Sequence, residues 1–183
     1  MSSNSTVVVG IADCAVTTDS RSLLITYALG SCIAVALHDP VSKVSGLLHF
    51  MLPAADQDSV RGKANPYMYA DTGLASLLAQ VTEKGAMKRR LLVRIAGGAQ
   101  TMQNEFFNIG KRNNLALKKL LWKAGLLLET EAIGGAVSRT VSLETGSGKF
   151  TVRETPISPR QKAPVEAIPP RSEVNGYANS TRG

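Results

Sequence analysis

Cys32 and His49 have side chains suited to nucleophilic catalysis at neutral pH, and the chain has one other cysteine, Cys14, and one other histidine, His38. A cysteine attacks as its thiolate, and a neighbouring imidazole can take up the thiol proton and later return it to a leaving group. Cys32 follows Gly30 and Ser31 just before a strand-like run, where a glycine permits a tight backbone and the thiol can meet a substrate. These residue types allow a covalent mechanism with a cysteine nucleophile.

The spacing predicts that His49 lies near Cys32. Residues 33–37 and 46–51 are short apolar runs joined by a turn at residues 39–43, which is typical of a hairpin. In an antiparallel hairpin the far end of the second strand returns beside the start of the first. His38 precedes the turn, so we expect it far from the thiol.

Other interpretations of these residues stay open on spacing alone. Single cysteines and histidines are often only a small buried hydrophobe and a satisfied polar residue, and this is the favoured interpretation without geometry. A zinc site from Cys14, Cys32, His38 and His49 is poorly supported, because the chain has no closely spaced pair of ligands. Gly97 and Gly98 lack a phosphate-loop pattern and predict a tight strand exit.

Composition favours one globular, cytoplasmic domain. The chain has 183 residues, 44% hydrophobic and 19% charged, with two cysteines and no apolar run long enough to cross a bilayer. The net charge of +7 favours an acidic partner. The basic residues are scattered, apart from residues 88–90 and 111–112, and no aromatic residues alternate with them, so we expect neither nucleic-acid binding nor membrane insertion.

The apolar runs predict a single α+β domain, a layered α/β sandwich with a mostly antiparallel sheet and two main helices. Leu74, Leu77, Leu78 and Val81 have helical spacing after a potential N-cap at Asp71. A second helix is predicted around residues 117–124, with Asn113 or Asn108 as its cap, and strands are predicted at the remaining runs, listed here: residues 7–11, 23–27, 33–37, 46–51, 91–95, 126–128, 137–143 and 150–153. We expect the folded domain to span residues 1–154 and a proline-rich tail to span residues 155–183.

Several blocks of the chain resemble the CheD family of chemoreceptor glutamine deamidases. The most specific is Leu29-Gly30-Ser31-Cys32, followed downstream by a His-x-Met-Leu-Pro block at residues 49–53. Further blocks follow in the family's order at residues 94–99, 109–113 and 134–139. The resemblance covers approximately residues 7–153.

The resemblance implies a catalytic triad of Cys32, His49 and Thr26, with no metal and no organic cofactor. It also implies a fold similar to that of deamidating bacterial toxins. The substrates would be glutamines on the cytoplasmic helices of methyl-accepting chemotaxis proteins, to which the protein would be recruited, and a CheC-like phosphatase would be a further partner. One alternative is a non-catalytic adaptor that binds such a phosphatase or the receptors. Another is a cysteine protease or transglutaminase, which would cleave peptide bonds or join amines to glutamine instead of releasing ammonia.

Overall fold

A computed structural model describes residues 5–55, 65–100 and 108–157 of the chain. These residues form nine strands and two α-helices. The strands are β1 (Thr6–Val8), β2 (Asp13–Thr17), β3 (Leu23–Leu29), β4 (Ile33–His38), β5 (Ser45–Phe50), β6 (Leu92–Gly97), β7 (Leu128–Ile133), β8 (Val137–Glu144) and β9 (Phe150–Pro156). The helices are α1 (Ala70–Glu83) and α2 (Ile109–Lys123), and short 3₁₀ turns span Pro66–Met68 and Lys88–Arg90.

The strands form two sheets. One has the order β1-β3-β8-β9 and the other the order β2-β5-β4-β6-β7. Pairing is antiparallel except between β1 and β3 and between β6 and β7. The predicted α+β layered sandwich, with mostly antiparallel pairing and two main helices, is therefore confirmed.

The five-stranded sheet is the middle layer, between the helices and the four-stranded sheet. Along β4, Ile33, Val35 and Leu37 face a core that contains the buried faces of α1 and α2. Ala34 and Ala36 face the opposite way, into a second core shared with the four-stranded sheet. This alternation follows from the two-residue period of a strand, so successive residues of β4 face different cores.

Strand prediction failed at the edges of the five-stranded sheet. β2 was not predicted, and all five of its residues are only partly buried. The strand expected at residues 126–128 starts at Leu128 instead and continues to Ile133, through a polar segment. Edge strands bury fewer side chains, so their sequences carry a weaker apolar pattern.

Both helices begin earlier than their apolar spacing indicates. α1 starts after Tyr69, so Asp71 lies in the first turn and is not the N-cap; its carboxylate accepts the backbone N–H of Ala55 at 3.1 Å. Asn108 occupies the N-cap position of α2 without a side-chain cap bond, and Asn113 is a buried residue inside the helix. In the described parts of the chain, no helix combines the length and apolar character that crossing a bilayer requires.

The folded part of the chain extends slightly past its predicted end. β9 continues through Pro156, two residues beyond the predicted domain end, and residues 158–183 of the expected tail lie outside the described residues.

The basic segment Lys88–Arg90 contains a buried ion pair. The guanidinium of Arg90 pairs at 2.6 Å with the fully buried carboxylate of Asp39. Arg90 therefore anchors the turn between β4 and β5.

Candidate active site

The β4–β5 hairpin places Cys32 and His49 on the same face of the sheet. His49 pairs with Ala34 in the antiparallel register, and Ile33 with Phe50 is the last pair. Cys32 directly precedes β4 and lies two residues before Ala34, so it shares the face of Ala34 and His49 and packs against the core between the sheets. Diagonal neighbours of this kind have Cβ atoms roughly 7 Å apart, within reach of an imidazole.

His38 occupies the other end of the hairpin, as the spacing predicts. It pairs with Ser45, and its Nδ1 lies 2.8 Å from the Ser45 hydroxyl. Burial is the main cause that lowers its pKa. The geometry assigns His38 to the packing of the turn and not to the neighbourhood of Cys32.

Thr26 contacts His49 across the two sheets. Its Oγ1 lies 2.8 Å from Nδ1 of His49, and both residues are buried. The side chain of Thr26 points inward from β3, on the same face as Leu24 in the core between the sheets. The register of β3 shifts after Thr26, and Ala28 adopts a left-handed conformation with φ of 56°. The tight backbone expected at Gly30 is therefore made by Ala28.

The second ring nitrogen of His49 is the chemically important one. Nε2 is buried and has no hydrogen-bond partner among the described residues. If Nδ1–H donates to the Thr26 hydroxyl, Nε2 carries the free lone pair that a general base needs. Burial lowers the pKa of His49 to about 4, against a smaller raising effect of the Asp13 carboxylate. The imidazole is therefore neutral at pH 7.

The thiol of Cys32 is also neutral at rest. The residue is partly exposed, and burial raises its pKa, while a hydrogen bond from its own backbone N–H acts in the lowering direction. For a neutral thiol that shares a sheet face with a neutral imidazole, a nucleophilic attack would require proton transfer during the attack, in contrast to a preformed thiolate–imidazolium pair.

Backbone bonds hold the segment that carries the thiol. The N–H of Ala99 donates to the Gly30 carbonyl and the N–H of Gly98 to the Cys32 carbonyl, each at 2.8 Å. Gly97 has a φ of 125°, and a Cβ atom there would collide with the Cys32 carbonyl. The glycine pair is thus the strand exit that the sequence predicts, and it also binds the nucleophile segment, which the sequence did not indicate.

Cys14 belongs to a different environment. It pairs with Leu48 on β5 and packs in the core that contains the helices, where Gln80 lies 3.9 Å from its sulfur. Burial raises its pKa to about 12, with a further raising effect of Asp13. Because Cys14 and Cys32 enter opposite faces of one sheet, they cannot be ligands of a shared zinc ion.

Comparison with known proteins agrees with the sequence blocks. A family model described as CheD chemotactic sensory transduction matches residues 51–154. This chain belongs to the CheD family. A relative from Solibacter usitatus is 50% identical over 164 residues, which covers 89% of this chain and 95% of the relative, so that its alignment includes the segment with Thr26, Cys32 and His49.

Two further CheD relatives come from other organisms. The protein from Syntrophus aciditrophicus is 43% identical over 81% of this chain and 94% of its own length. The protein from Pyrococcus abyssi is 44% identical over 80% of this chain and 90% of its own length. The Solibacter and Pyrococcus proteins are named "Probable chemoreceptor glutamine deamidase CheD", and the Syntrophus protein is named "Probable chemoreceptor glutamine deamidase CheD 1". The resemblance drawn from the sequence blocks is confirmed.

Proposed function

We propose that this protein hydrolyses the side-chain amide of glutamine residues in chemoreceptors, with Cys32 as the nucleophile. The observation that carries the proposal is the buried Thr26–His49 pair, whose free Nε2 lies on the sheet face of Cys32. The names of its CheD relatives supply the substrate class. This is the activity of a protein-glutamine glutaminase.

In the first half of the reaction, Nε2 of His49 takes the proton of the Cys32 thiol as Sγ attacks the carboxamide carbon. A tetrahedral intermediate forms, and backbone N–H groups near Ser31 and Cys32 stabilise its oxyanion. The C–N bond then breaks, and His49 gives the proton to the departing nitrogen, which leaves as ammonia. The product of this half is a thioester between the substrate side chain and Cys32.

In the second half, His49 takes a proton from a water molecule that attacks the thioester carbonyl. The C–S bond breaks, the sulfur recovers its proton from His49, and the substrate leaves as glutamate. Thr26 keeps the imidazole oriented through both halves and accepts the Nδ1–H bond. The low pKa of His49 keeps the base in its neutral, active form well below pH 7.

The substrates in this proposal are glutamines on the cytoplasmic helices of methyl-accepting chemotaxis proteins, which become glutamates that can be methylated during adaptation. The protein acts in the cytoplasm, recruited to the receptors, and a CheC-like phosphatase is a further partner. The net charge of +7 suits an acidic surface and mainly affects encounter and orientation. The catalytic domain in this proposal is residues 1–154 together with the last two residues of β9, and the remainder of the chain is a proline-rich tail.

The test is to incubate the purified full-length protein with a receptor cytoplasmic fragment, measuring ammonia release and mapping each glutamine-to-glutamate conversion by mass spectrometry. Cys32→Ala is expected to abolish conversion, while the matched variant Cys14→Ala retains it, because Cys14 faces the other core. Full conversion by Cys32→Ala would refute the mechanism. A Cys32→Ala protein that still supports chemotaxis in cells would favour the adaptor function instead.

A further inference from the structure

Asn113 lies in α2, and its buried side-chain amide donates hydrogen bonds to two segments outside that helix. Its Nδ2 donates to the Ser31 carbonyl at 3.0 Å and to the Met51 carbonyl at 2.7 Å. Both acceptors are carbonyl oxygens, so only the NH₂ end of the amide can face them. Its Oδ1 is buried without a partner among the described residues, so these two donated bonds are the polar contacts that accompany its burial.

The two carbonyls lie just beyond the end of the β4–β5 ladder. Ile33 and Phe50 form the last pair, Cys32 and Ser31 precede it, and Met51 follows it. The N–H of Met51 already turns away from β4 and donates to the Met68 carbonyl at 3.0 Å. Asn113 therefore connects the nucleophile segment to the strand of His49 at the point where sheet hydrogen bonds stop.

The bond to Ser31 also fixes the direction of the Cys32 amide. The Ser31 carbonyl and the Cys32 N–H belong to one planar trans peptide, so they point in opposite directions and cannot rotate independently. That N–H belongs to the residue whose thiol reacts, and its interaction with the thiol acts to lower the pKa of Cys32. Whatever holds the Ser31 carbonyl therefore also holds the donor beside the reacting atom.

The start of α2 is packed closely enough for this contact to form. A Cβ atom on Gly110 would lie 2.5 Å from the Gly98 carbonyl oxygen and 2.7 Å from that of Ala99. Gly98 and Ala99 are the residues whose N–H groups bind the carbonyls of Cys32 and Gly30. The helix and the glycine-rich strand exit thus form one support under the nucleophile segment.

We propose that Asn113 is a positioning residue of this site. By holding the Ser31 carbonyl it keeps the Cys32 N–H in one direction beside the thiol, where that donor stabilises the oxyanion that develops. The catalytic part of this inference rests on the proposed deamidase function. Its effect on the Cys32 thiol does not, because thiol reactivity is measured without any substrate.

The test compares Asn113→Ala and Asn113→Asp with the wild type in the full-length protein. Asn113→Ala is expected to lower kcat for deamidation of a receptor fragment by roughly 10²-fold, with KM changed by less than about threefold, because a misplaced reacting group costs rate and not binding. In Asn113→Asp a protonated carboxyl donates one bond and an ionised one donates none. Its kcat relative to the wild type is therefore expected to rise as the pH falls.

Thr145→Val is the matched control for a purely structural loss. The Thr145 hydroxyl is buried and lies 2.5 Å from the Asp19 carbonyl and 2.7 Å from that of Ser22, so its single proton is donated to backbone carbonyl oxygen, as the Asn113 amide protons are. Its own carbonyl lies near Ser45, at the turn end of the hairpin, away from Cys32. Thr145→Val is expected to lose thermal stability as Asn113→Ala does, and to keep its kcat.

The second readout is the pH dependence of Cys32 alkylation by iodoacetamide, followed on the Cys32 peptide by mass spectrometry. Asn113→Ala is expected to shift the apparent thiol pKa upward, and Thr145→Val to leave it unchanged. If the apparent thiol pKa shifts in Asn113→Ala while the wild type deamidates no receptor glutamine, the result would support the positioning role and refute the proposed function. The inference would be overturned if folded Asn113→Ala kept the wild-type kcat and the wild-type alkylation profile. It would also be overturned if Asn113→Ala and Thr145→Val lost kcat equally.

Discussion

Thr26→Val tests whether the bond between the two sheets orients the base. Valine keeps the branched shape and volume of threonine but replaces the hydroxyl by a methyl group, so no cavity forms in the packed core. The change removes the partner of His49 Nδ1, which lies 2.8 Å away in a buried position. An unpartnered buried polar atom costs about 1–3 kcal/mol, and we expect the free energy of unfolding to fall by this amount.

The same substitution is expected to lower kcat by roughly 10²-fold, because an imidazole without its partner samples other orientations and the other tautomer. Thr26→Ser is the matched control, since it keeps the hydroxyl and removes only a methyl group, at a cost of about 1 kcal/mol in stability. It should retain kcat within a few-fold of the wild type. Unfolding free energies come from urea titrations, and kcat from ammonia release at saturating receptor fragment.

The outcome that refutes the reasoning is a Thr26→Val protein with wild-type kcat under conditions where it is fully folded. Equal losses of kcat in Thr26→Val and Thr26→Ser would also contradict it, because the serine hydroxyl can still reach Nδ1. A stability loss without a kcat loss would show that Thr26 only stabilises the contact between the two sheets, and would remove it from the triad.

Three further predictions follow from the site and its surroundings. The pKa of His49 is about 4 in the folded protein and about 6.5 in the unfolded chain. Its contribution to stability is therefore complete above pH 6.5 and declines toward pH 4, by up to about 3 kcal/mol. In urea titrations at pH 7 and pH 4.5, the free energy of unfolding should fall less between the two pH values in His49→Gln than in the wild type. A Cβ atom on Gly30 meets nothing within 4 Å in the described part of the chain, so Gly30→Leu should keep its melting temperature yet lower kcat/KM by obstructing Cys32, and normal kinetics would contradict this. Asp39→Asn should lower the free energy of unfolding by about 3 kcal/mol, because Arg90 loses its buried charged partner. Its kcat should stay unchanged at a temperature where the variant is folded. A reduced kcat would count against a purely structural role of the turn between β4 and β5.

The proximity of Cys32 and His49 could be predicted because it depends on local rules. A hairpin with a short turn has few registers, and the two-residue period of a strand then determines which side chains share a face. The same rules separated His38 from the site. The central strands and the amphipathic stretches of both helices were predicted for a similar reason, since each has a strong apolar pattern of its own.

The Asn113 contact could not be predicted from local patterns. An asparagine before an apolar stretch is typical of a helix cap, and the sequence predicts either Asn113 or Asn108 in that role. The helix extends further because Gly110 allows its first turn to pack on Gly98 and Ala99, more than ten residues earlier in the sequence. Only that packing carries the amide to the Ser31 and Met51 carbonyls.

The sequence by itself determined the family, the α+β class and the likeness of Cys32 and His49 to a nucleophile and its base. It named Thr26 only through the family resemblance, since Thr26 and His49 are 23 residues apart and lie in different sheets. The packing of one sheet face on another brings them together, and no spacing within either strand encodes that contact. Tertiary structure also decided the protonation states, because burial between the sheets keeps both the imidazole and the thiol neutral at rest.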